Sequence, residues 1–405
     1  MSPGILLLTT TNLACNPRCL KEVRLLHSMG VKVTVVAFDL HNWTTEKERE
    51  LNGELKGVNF HYLESGRRPF IPWLRASVEE RIGRLAGPLF PSNAFLSALA
   101  VSKRSGPLLR WVRKERNSYD LVIAHNPGAF YAAAHLSHRM GIPFALDIED
   151  YHPGEGNGRA ERQCVGYLMR MLMERSAYCS FASPLIMRYS QNLLHTAGKG
   201  DFFVVNNSFP LAEFQLPRKE GPAGKKLQLV WFSQFIDYGR GLEKIFPALD
   251  RFAGEIELTL FGTARDTFFR NEMRDREYIR YAGSLSQKEL HLELGRYDAG
   301  LALEDGTVDQ NRNLCLTNKI WSYLQAGLYI VATNTDAQQL FLQEHPGHGI
   351  STSLSVDVFA ERISGLIRDK ETIRAGKPDR YEAAARVSWD HDAKVLQERW
   401  SKILS

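Results

Sequence analysis

Thr317, Asn318 and Lys319 open the segment of this chain with the clearest chemical potential. They stand inside "LCLTNKIWSYLQAGLYIVAT" (314–333), between an apolar run and a helical pattern. Thr317 or Asn318 fits an N-cap, whose side-chain oxygen binds a free backbone N–H of the first turn. Ile320, Trp321 and Leu324 fall at helical spacing, and Gly327 is the expected stop. Leu328 to Ala332 then reads as a strand buried on both faces. A helix start carries free N–H groups and partial positive charge, so it attracts anions. Lys319 in the first turn opposes that dipole unless an anion sits nearby. The plain alternative is a solvated lysine on a surface helix.

Other reactive residue types gather where apolar runs end. His125 follows Leu121–Ala124, next to Asn126 and Pro127. Glu149, Asp150 and His152 follow Phe144–Ile148. Carboxylates and imidazoles so placed can bind hydroxyls or take a proton, and they can equally be polar loop residues or structural hydrogen-bonding groups. Asn16 and Arg18 lie in the turn after Ile5–Leu8, and Arg240 follows Leu229–Phe232. Glu304, Asp305, Asp309, Asn311 and Arg312 crowd the loop ahead of Asn318. "DHD" (390–392) opens the final helical pattern, where Asp caps are common, and does not argue for metal. "GEGNG" (154–158) lacks the strand–turn–helix setting of a phosphate-binding glycine loop.

These residues need strands and helices to position them. Strand-like runs at Ile5–Leu8, Val33–Ala37, Leu121–Ala124, Phe144–Ile148 and Phe202–Val205 alternate with helical stretches, notably Arg18–Met29 and Phe130–Met140. After "QLPRKEGPAGKK" (215–226) the alternation restarts at Leu229–Phe232, Ile256–Phe261, Ile279–Tyr281, Ala299–Leu303 and Tyr329–Ala332. The pattern predicts α/β architecture, two doubly wound Rossmann-like domains with parallel sheets. The expected bounds are 1–214, completed by a C-terminal helix within 386–405, then a linker at 215–226 and a second domain at 227–385. Ligands of such sheets lie beyond the strands' carboxyl ends, so the site is expected in the cleft between the domains.

At 405 residues, 44% hydrophobic and 24% charged, the composition is that of a soluble globular protein with ample core. No apolar run approaches the ~20 residues that span a bilayer. Ile5–Leu8 is too short for a signal peptide. Five scattered cysteines suggest reduced thiols and a cytoplasmic location. The net charge of +5 is uneven: residues 66–116 carry eleven Lys/Arg against three Glu, or +8, which leaves −3 for the rest. Phe70, Ile71, Trp73, Leu74, Phe90, Phe95 and Trp111 share that stretch. Basic and bulky apolar residues so mixed suit an anionic membrane surface, which would make the protein peripheral to the cytoplasmic face. A solvated helical face with inward aromatics is the alternative. No nucleic-acid motif accompanies the charge.

Several segments together resemble nucleotide-sugar glycosyltransferases of the GT-B fold, most closely the family 4 group of bacterial glycan-building enzymes. "YDLVIAHNPGAFYAAAHLSHRMGIPFALDIED" (119–150) is similar to that family's strand ending in histidine, helix, Gly-Ile-Pro and next strand. "LVWFSQFIDYGRGLEKIFPAL" (229–249), "IRYAGSLSQKELHLELGRYDAGLAL" (279–303), "NKIWSYLQAGLYIVAT" and "VSWDHDAKVLQERWSKIL" (387–404) match later segments in order.

The resemblance implies transfer of a sugar from a nucleoside diphosphate to a glycan or lipid-linked acceptor in bacterial surface polysaccharide synthesis. It implies a retaining reaction with no metal and no other cofactor. His125, Glu149 and Asp150 take the catalytic positions. Arg240, Thr317, Asn318, Lys319, Ser322 and Glu304 take the donor-binding ones, and Asn16, Arg18 and His152 lie on the acceptor side. The family's paired Glu, eight residues apart, falls here on Leu314 and Ser322, and its Gly-Arg after the first donor-domain strand falls on Ser233-Gln234. Those departures keep two other readings open, a sugar-nucleotide epimerase of the same fold and a non-catalytic relative that binds a partner.

Overall fold

Aliphatic runs build the strands, and most are buried on both faces. The computed structural model describes residues 3–42, 44–156, 158–194, 200–215 and 224–405. The chain forms two compact units, Met1–Val205 with Ala393–Ser405 and Asn206–Asp392. Eight residues of the expected linker, 216–223, lie outside the described residues.

Unit 1 holds β1 (Gly4–Thr9), β2 (Lys32–Asp39), β3 (Asn59–Glu64), β4 (Leu121–His125), β5 (Phe144–Ile148), β6 (Tyr178–Phe181) and β7 (Phe202–Val204). They pair in parallel in the order β3-β2-β1-β4-β5-β6-β7. The connecting helices are α1 (Pro17–Ser28), α2 (Thr45–Glu54), α3 (Phe70–Ala86), α4 (Ala94–Val101), α5 (Ser105–Lys114), α6 (Pro127–Met140), α7 (Arg159–Met173) and α8 (Pro184–Gln191). Strand order reverses between β1 and β4, where an open α/β sheet leaves a crevice beyond its carboxyl ends.

Unit 2 repeats the plan with β8 (Leu227–Ile236), β9 (Ile256–Ala264), β10 (Ile279–Gly283), β11 (Ala299–Ala302), β12 (Tyr329–Thr333) and β13 (Gly349–Thr352). Their order is β10-β9-β8-β11-β12-β13, again parallel, with the reversal between β8 and β11. Its helices are α9 (Leu242–Leu249), the single turn α10 (Asp266–Phe268), α11 (Gln287–Leu294), α12 (Gln310–Leu314), α13 (Asn318–Gln325), α14 (Asp336–Glu344), α15 (Val356–Arg368), α16 (Lys370–Ala375) and α17 (Lys377–Ala384). Helix α18 (Trp389–Leu404) begins in unit 2 and ends in unit 1. The two doubly wound α/β halves are those the alternation predicts.

Three strands escape a search for apolar runs. β3 is a half-buried edge strand of mixed polarity, and β6 and β13 are four residues each. β8 runs four residues past its expected end at Phe232, because it re-pairs with β9 beyond a bulge at Ser233-Gln234. The basic stretch 66–116 folds largely as α3, α4 and α5.

The unit boundary falls at Val205/Asn206, ahead of the expected 214, and at Asp392/Ala393, after the expected 386. Hydrogen bonds explain the shift. Asp392 accepts from the Asn206 N–H at 2.9 Å, and Asp390 accepts from the Leu211 N–H at 2.8 Å. Gln325 on α13 accepts from the Phe209 N–H at 2.8 Å and donates to the Phe209 carbonyl at 2.6 Å. Residues 206–214 are thereby tied to unit 2.

Helix α13 is seated by a glycine. A Cβ at Gly300 of β11 would lie 2.3 Å from the Tyr323 ring, so the bare backbone lets that ring lie against the sheet. Gly327, at φ +72°, then turns the chain into β12.

Gln325 bonds both backbone groups of the buried Phe209, whose carbonyl also accepts from the Trp389 N–H at 3.1 Å, and Gln325→Ala removes both Gln325 bonds. At roughly 0.5–1.5 kcal/mol for each of the two bonds removed, the variant is expected to lose about 2 kcal/mol, read as a lower urea midpoint. An unchanged midpoint would remove this brace from the account.

Candidate functional site

In unit 2 the candidate residues collect at the carboxyl ends of β8, β11 and β12. Thr317 is the extended N-cap of α13, but its hydroxyl makes no capping bond and is buried with no partner among the described residues. Asn318 is exposed in the first turn. Lys319 is only 9% exposed; its ammonium lies 3.5 Å from Glu304 Oε1 and 5.6 Å from the centroid of the Trp231 ring. Glu304 is fixed just past β11 by its own N–H, which donates to Thr333 Oγ1 at the end of β12. Lys319 thus sits on a carboxylate and an aromatic face.

Arg240 is exposed and makes no ion pair among the described residues. Its turn is shaped by Gly239 and Gly241 at φ +76° and +90°. A Cβ on Gly241 would lie 3.1 Å from Leu303, the residue before Glu304, so the turn backs onto the end of β11. The remaining loop residues have local work. Asp305 accepts from Lys244 at 2.5 Å and from Thr307, and these bonds hold its carboxyl down at about 2. Asp309 caps α12 through the Arg312 N–H.

Ser322 has different surroundings from those expected of a donor contact. It is fully buried, and its hydroxyl is 3.1 Å from His291 Nε2. His291 in turn lies 2.8 Å from Glu213 and packs against Phe209 and Phe214. Four residues beyond Asn318, Ser322 faces unit 2's interior.

In unit 1 the sequence-predicted residues divide into a buried core and a partly accessible rim. Asn16 caps α1 by accepting from the Cys19 N–H at 2.9 Å, and Pro17 occupies the first helical position. Arg18, 1% exposed, donates from Nε to Asp147 Oδ2 at 2.6 Å and from a terminal nitrogen to the Val205 carbonyl. His125 is fully buried. Its Nε2 is 3.3 Å from Glu22, and its Nδ1 is 3.1 Å from Asp147 and 3.6 Å from Glu149. His125 was expected at a catalytic position and Arg18 on the acceptor side, and both belong to an interior charge network. Among the described residues of that network, Glu149 reaches solvent, its side chain being 20% accessible. His152 is nearly buried in the turn after β5, with Nδ1 3.2 Å from Glu155. Asp150, beside Glu149, is half-buried. Asn126, after His125, holds φ +69° and accepts from Thr9 Oγ1 at 2.8 Å, a strained strand end of the kind found beside sites.

The network's electrostatics follow from its geometry. Burial would raise Asp147, but the Arg18 guanidinium and His125 hold its carboxyl well below the usual range. Burial pushes Glu22 up, against the lowering effect of His125. Burial alone would lower His125, yet Cys19, Glu22 and Asp147 lift it well above the ordinary histidine value. Burial also pushes the Cys19 thiol up, against the lowering effect of His125. Glu22, His125 and Asp147 have the spacing of a metal-ligand set. The Arg18 cation already occupies Asp147, and all three ligands are buried, so the set fits an internal ion cluster better than a divalent ion.

Glu22, Asp147 and Arg104 were missed in the sequence. The first two carried signals. Arg18 and Glu22, four apart, share one face of α1, and Asp147 is a lone acid inside a buried strand. Arg104 is half-buried, with no carboxylate partner among the described residues. It donates to the Thr10 carbonyl at 2.6 Å and lies over Phe38, and burial lowers its pKa. With Trp73 and Lys103 it lines a cavity of about 580 Å³ beside the ends of β2 and β3.

Residues 15–199 match the glycosyl transferase 4-like domain family. No curated protein matches the sequence. Among solved structures, a glycosyltransferase from Rickettsia africae is 11% identical with a TM-score of 0.66, covering 100% of this chain and 99% of that one. A sucrose-phosphate synthase from Thermosynechococcus elongatus is 12% identical with a TM-score of 0.67, covering 99% of both. The Anabaena protein HepE, solved with UDP-glucose, is 13% identical with a TM-score of 0.67, covering 98% of this chain and 99% of that one. At these identities the likeness is one of fold, the GT-B fold.

The raised His125 contributes stability that is fully present below the ordinary histidine value, about 6.5, and is lost as pH rises through the folded value. His125→Gln should therefore cost more at pH 6, about 3 kcal/mol for a broken buried pair, than at pH 9, measured by chemical unfolding. An equal cost at both pH values would mean that His125 is buried neutral.

Proposed function

We propose, from the premise that the chain is a family 4-like glycosyltransferase of the GT-B fold, that it takes its sugar from a nucleoside diphosphate held at the carboxyl end of the second sheet. The observation that carries this reading is the first turn of α13, where Lys319, a Thr317 hydroxyl with no partner among the described residues and the helix's opening N–H groups adjoin the exposed Arg240 turn through Glu304 and Leu303. A diphosphate suits two cations and a helix start. HepE, of the same fold, was solved with UDP and with UDP-glucose, which favours a uridine nucleotide.

In the proposed reaction an acceptor hydroxyl attacks the sugar's anomeric carbon. The bond from that carbon to the diphosphate oxygen breaks, and its electron pair leaves with the nucleoside diphosphate. Lys319, Arg240 and the Thr317–Asn318 backbone stabilise the charge that develops there, so no metal is required. Glu304 holds Lys319 until the diphosphate competes for it. Glu149, Asp150 or His152 receives the hydroxyl proton. His125 positions Glu149 from within. Family resemblance favours retention of configuration. The acceptor is a glycan or a lipid-linked glycan at the cytoplasmic membrane face, as in bacterial surface polysaccharide synthesis. Arg104 and Lys103, in the cavity of unit 1, suit an anionic group on that acceptor.

A thermal-shift screen with UDP-, GDP-, CDP- and dTDP-sugars tests this reading, since a ligand of the folded state raises its apparent stability. One nucleotide series is expected to raise the melting temperature, and Lys319→Ala should weaken that nucleotide at least ~tenfold, about 1.4 kcal/mol. A full shift in the variant would remove Lys319 from the site. Transfer or slow hydrolysis of the sugar marks the transferase, an isomerised nucleotide sugar marks an epimerase, and silence marks a non-catalytic relative.

A further inference from the structure

Helix α3 is turned inside out. Ile71, Leu74, Val78, Ile82, Leu85 and, just past its end, Leu89 recur at intervals of three or four. That spacing gives a helix one apolar face, which a globular protein ordinarily buries. Here all six are exposed, with Ile71 at 78%, Leu85 at 71% and Leu89 at 74%. The face that packs inward is made of small residues. Ala76 is buried, and a Cβ on Gly83 would lie 2.4 Å from the Ala100 backbone of α4. At ~100° per residue, this packing face lies roughly 150° around the helix from the apolar stripe. A stripe of this length is larger than a protein commonly leaves to water.

Charge says what covers it. Arg75 and Arg81 flank the stripe on either side. Arg67, Arg68 and Arg81 are exposed and have no carboxylate partner among the described residues. The helix's own acids are neutralised away from the stripe, Glu79 by Arg110 at 2.6 Å and Glu80 by Arg84 at 3.2 Å. Residues 66–116 carry +8 in all. A second copy of the chain would bring the same +8 against this face, which like-charge repulsion opposes. A leaflet of anionic phospholipid complements both features, because acyl chains accept the stripe while phosphates meet the flanking arginines. No helix among the described residues is long and apolar enough to cross a membrane, so α3 would lie in the interface.

We infer that α3 is an in-plane anchor that docks unit 1 on an anionic membrane surface through the Ile71–Leu89 stripe and its arginine borders. This deepens the functional reading, on which it rests only for the conclusion that the acceptor is a lipid-linked glycan drawn from that surface.

Flotation of the full chain with vesicles tests it. Binding is expected to phosphatidylcholine vesicles containing roughly one-third phosphatidylglycerol, not to pure phosphatidylcholine, and to weaken as salt rises. Ile82→Glu/Leu85→Glu and, separately, Arg67→Glu/Arg68→Glu/Arg81→Glu should each reduce it at least ~tenfold. Both variants alter exposed side chains, so their melting temperatures and nucleotide thermal shifts should match the wild type. Absence of wild-type binding, equal binding to neutral vesicles, or full binding by the Glu variants overturns the inference. So does a stripe variant that changes a dimer to a monomer while vesicle binding stays as it was. A chain that floats but is shifted by no nucleotide refutes the transferase reading and leaves the anchor standing; the reverse result refutes the anchor alone.

Discussion

The buried contact between Arg18 and Asp147 is the constraint on which the first unit depends. It joins the first turn of α1 to strand β5 and, through the Val205 carbonyl, to the end of β7. Glu22 and His125 share the interior with it, and each would be costly there alone. Together they fix the carboxyl ends of β1, β4 and β5, where the partly accessible Glu149 and Asp150 emerge beside the nearly buried His152. Rigidity at those ends is what a group-transfer site requires, since a small displacement of a reacting group lowers its rate steeply.

The second unit reaches the same end by other means. Its candidate cations stand on the Arg240 turn and on the first turn of α13, over a sheet whose closest contacts are made by glycine. Gly300 lets Tyr323 and hence α13 approach β11, and Gly241 lets the Arg240 turn back onto Leu303. Lys319 waits on Glu304 and the Trp231 ring. A cation held by a carboxylate resists random motion yet can be drawn to a stronger anion, and a diphosphate is one.

Much of the fold was legible because buried parallel strands are written as apolar runs. β1, β4, β5, β11 and β12 were each marked by one, and Gly327 follows the end of α13 where a stop was expected. β3, β6 and β13 left no run because edge and very short strands need none. The site was less legible. His125 and Arg18 stand where a loop residue was expected to face ligand, but burial comes from tertiary packing, which one residue's type does not reveal. Asp147, within "FALDI", was the overlooked sign that an interior charge had to be matched. Ser322 shows the converse, since its partner His291 lies on α11 and no local spacing joins them. The stripe of α3 was visible as periodicity, while its outward direction was not, because an apolar face ordinarily turns inward.

The central claim is that the cations of the second unit grip a pyrophosphate. Calorimetric titration with uridine, UMP and UDP tests it most directly, in the wild type and in Arg240→Ala. Affinity should rise with each phosphate, and the gain from UMP to UDP should collapse in the variant while uridine binds as before. Equal affinity for uridine and UDP, or an undiminished gain in the variant, would contradict the account.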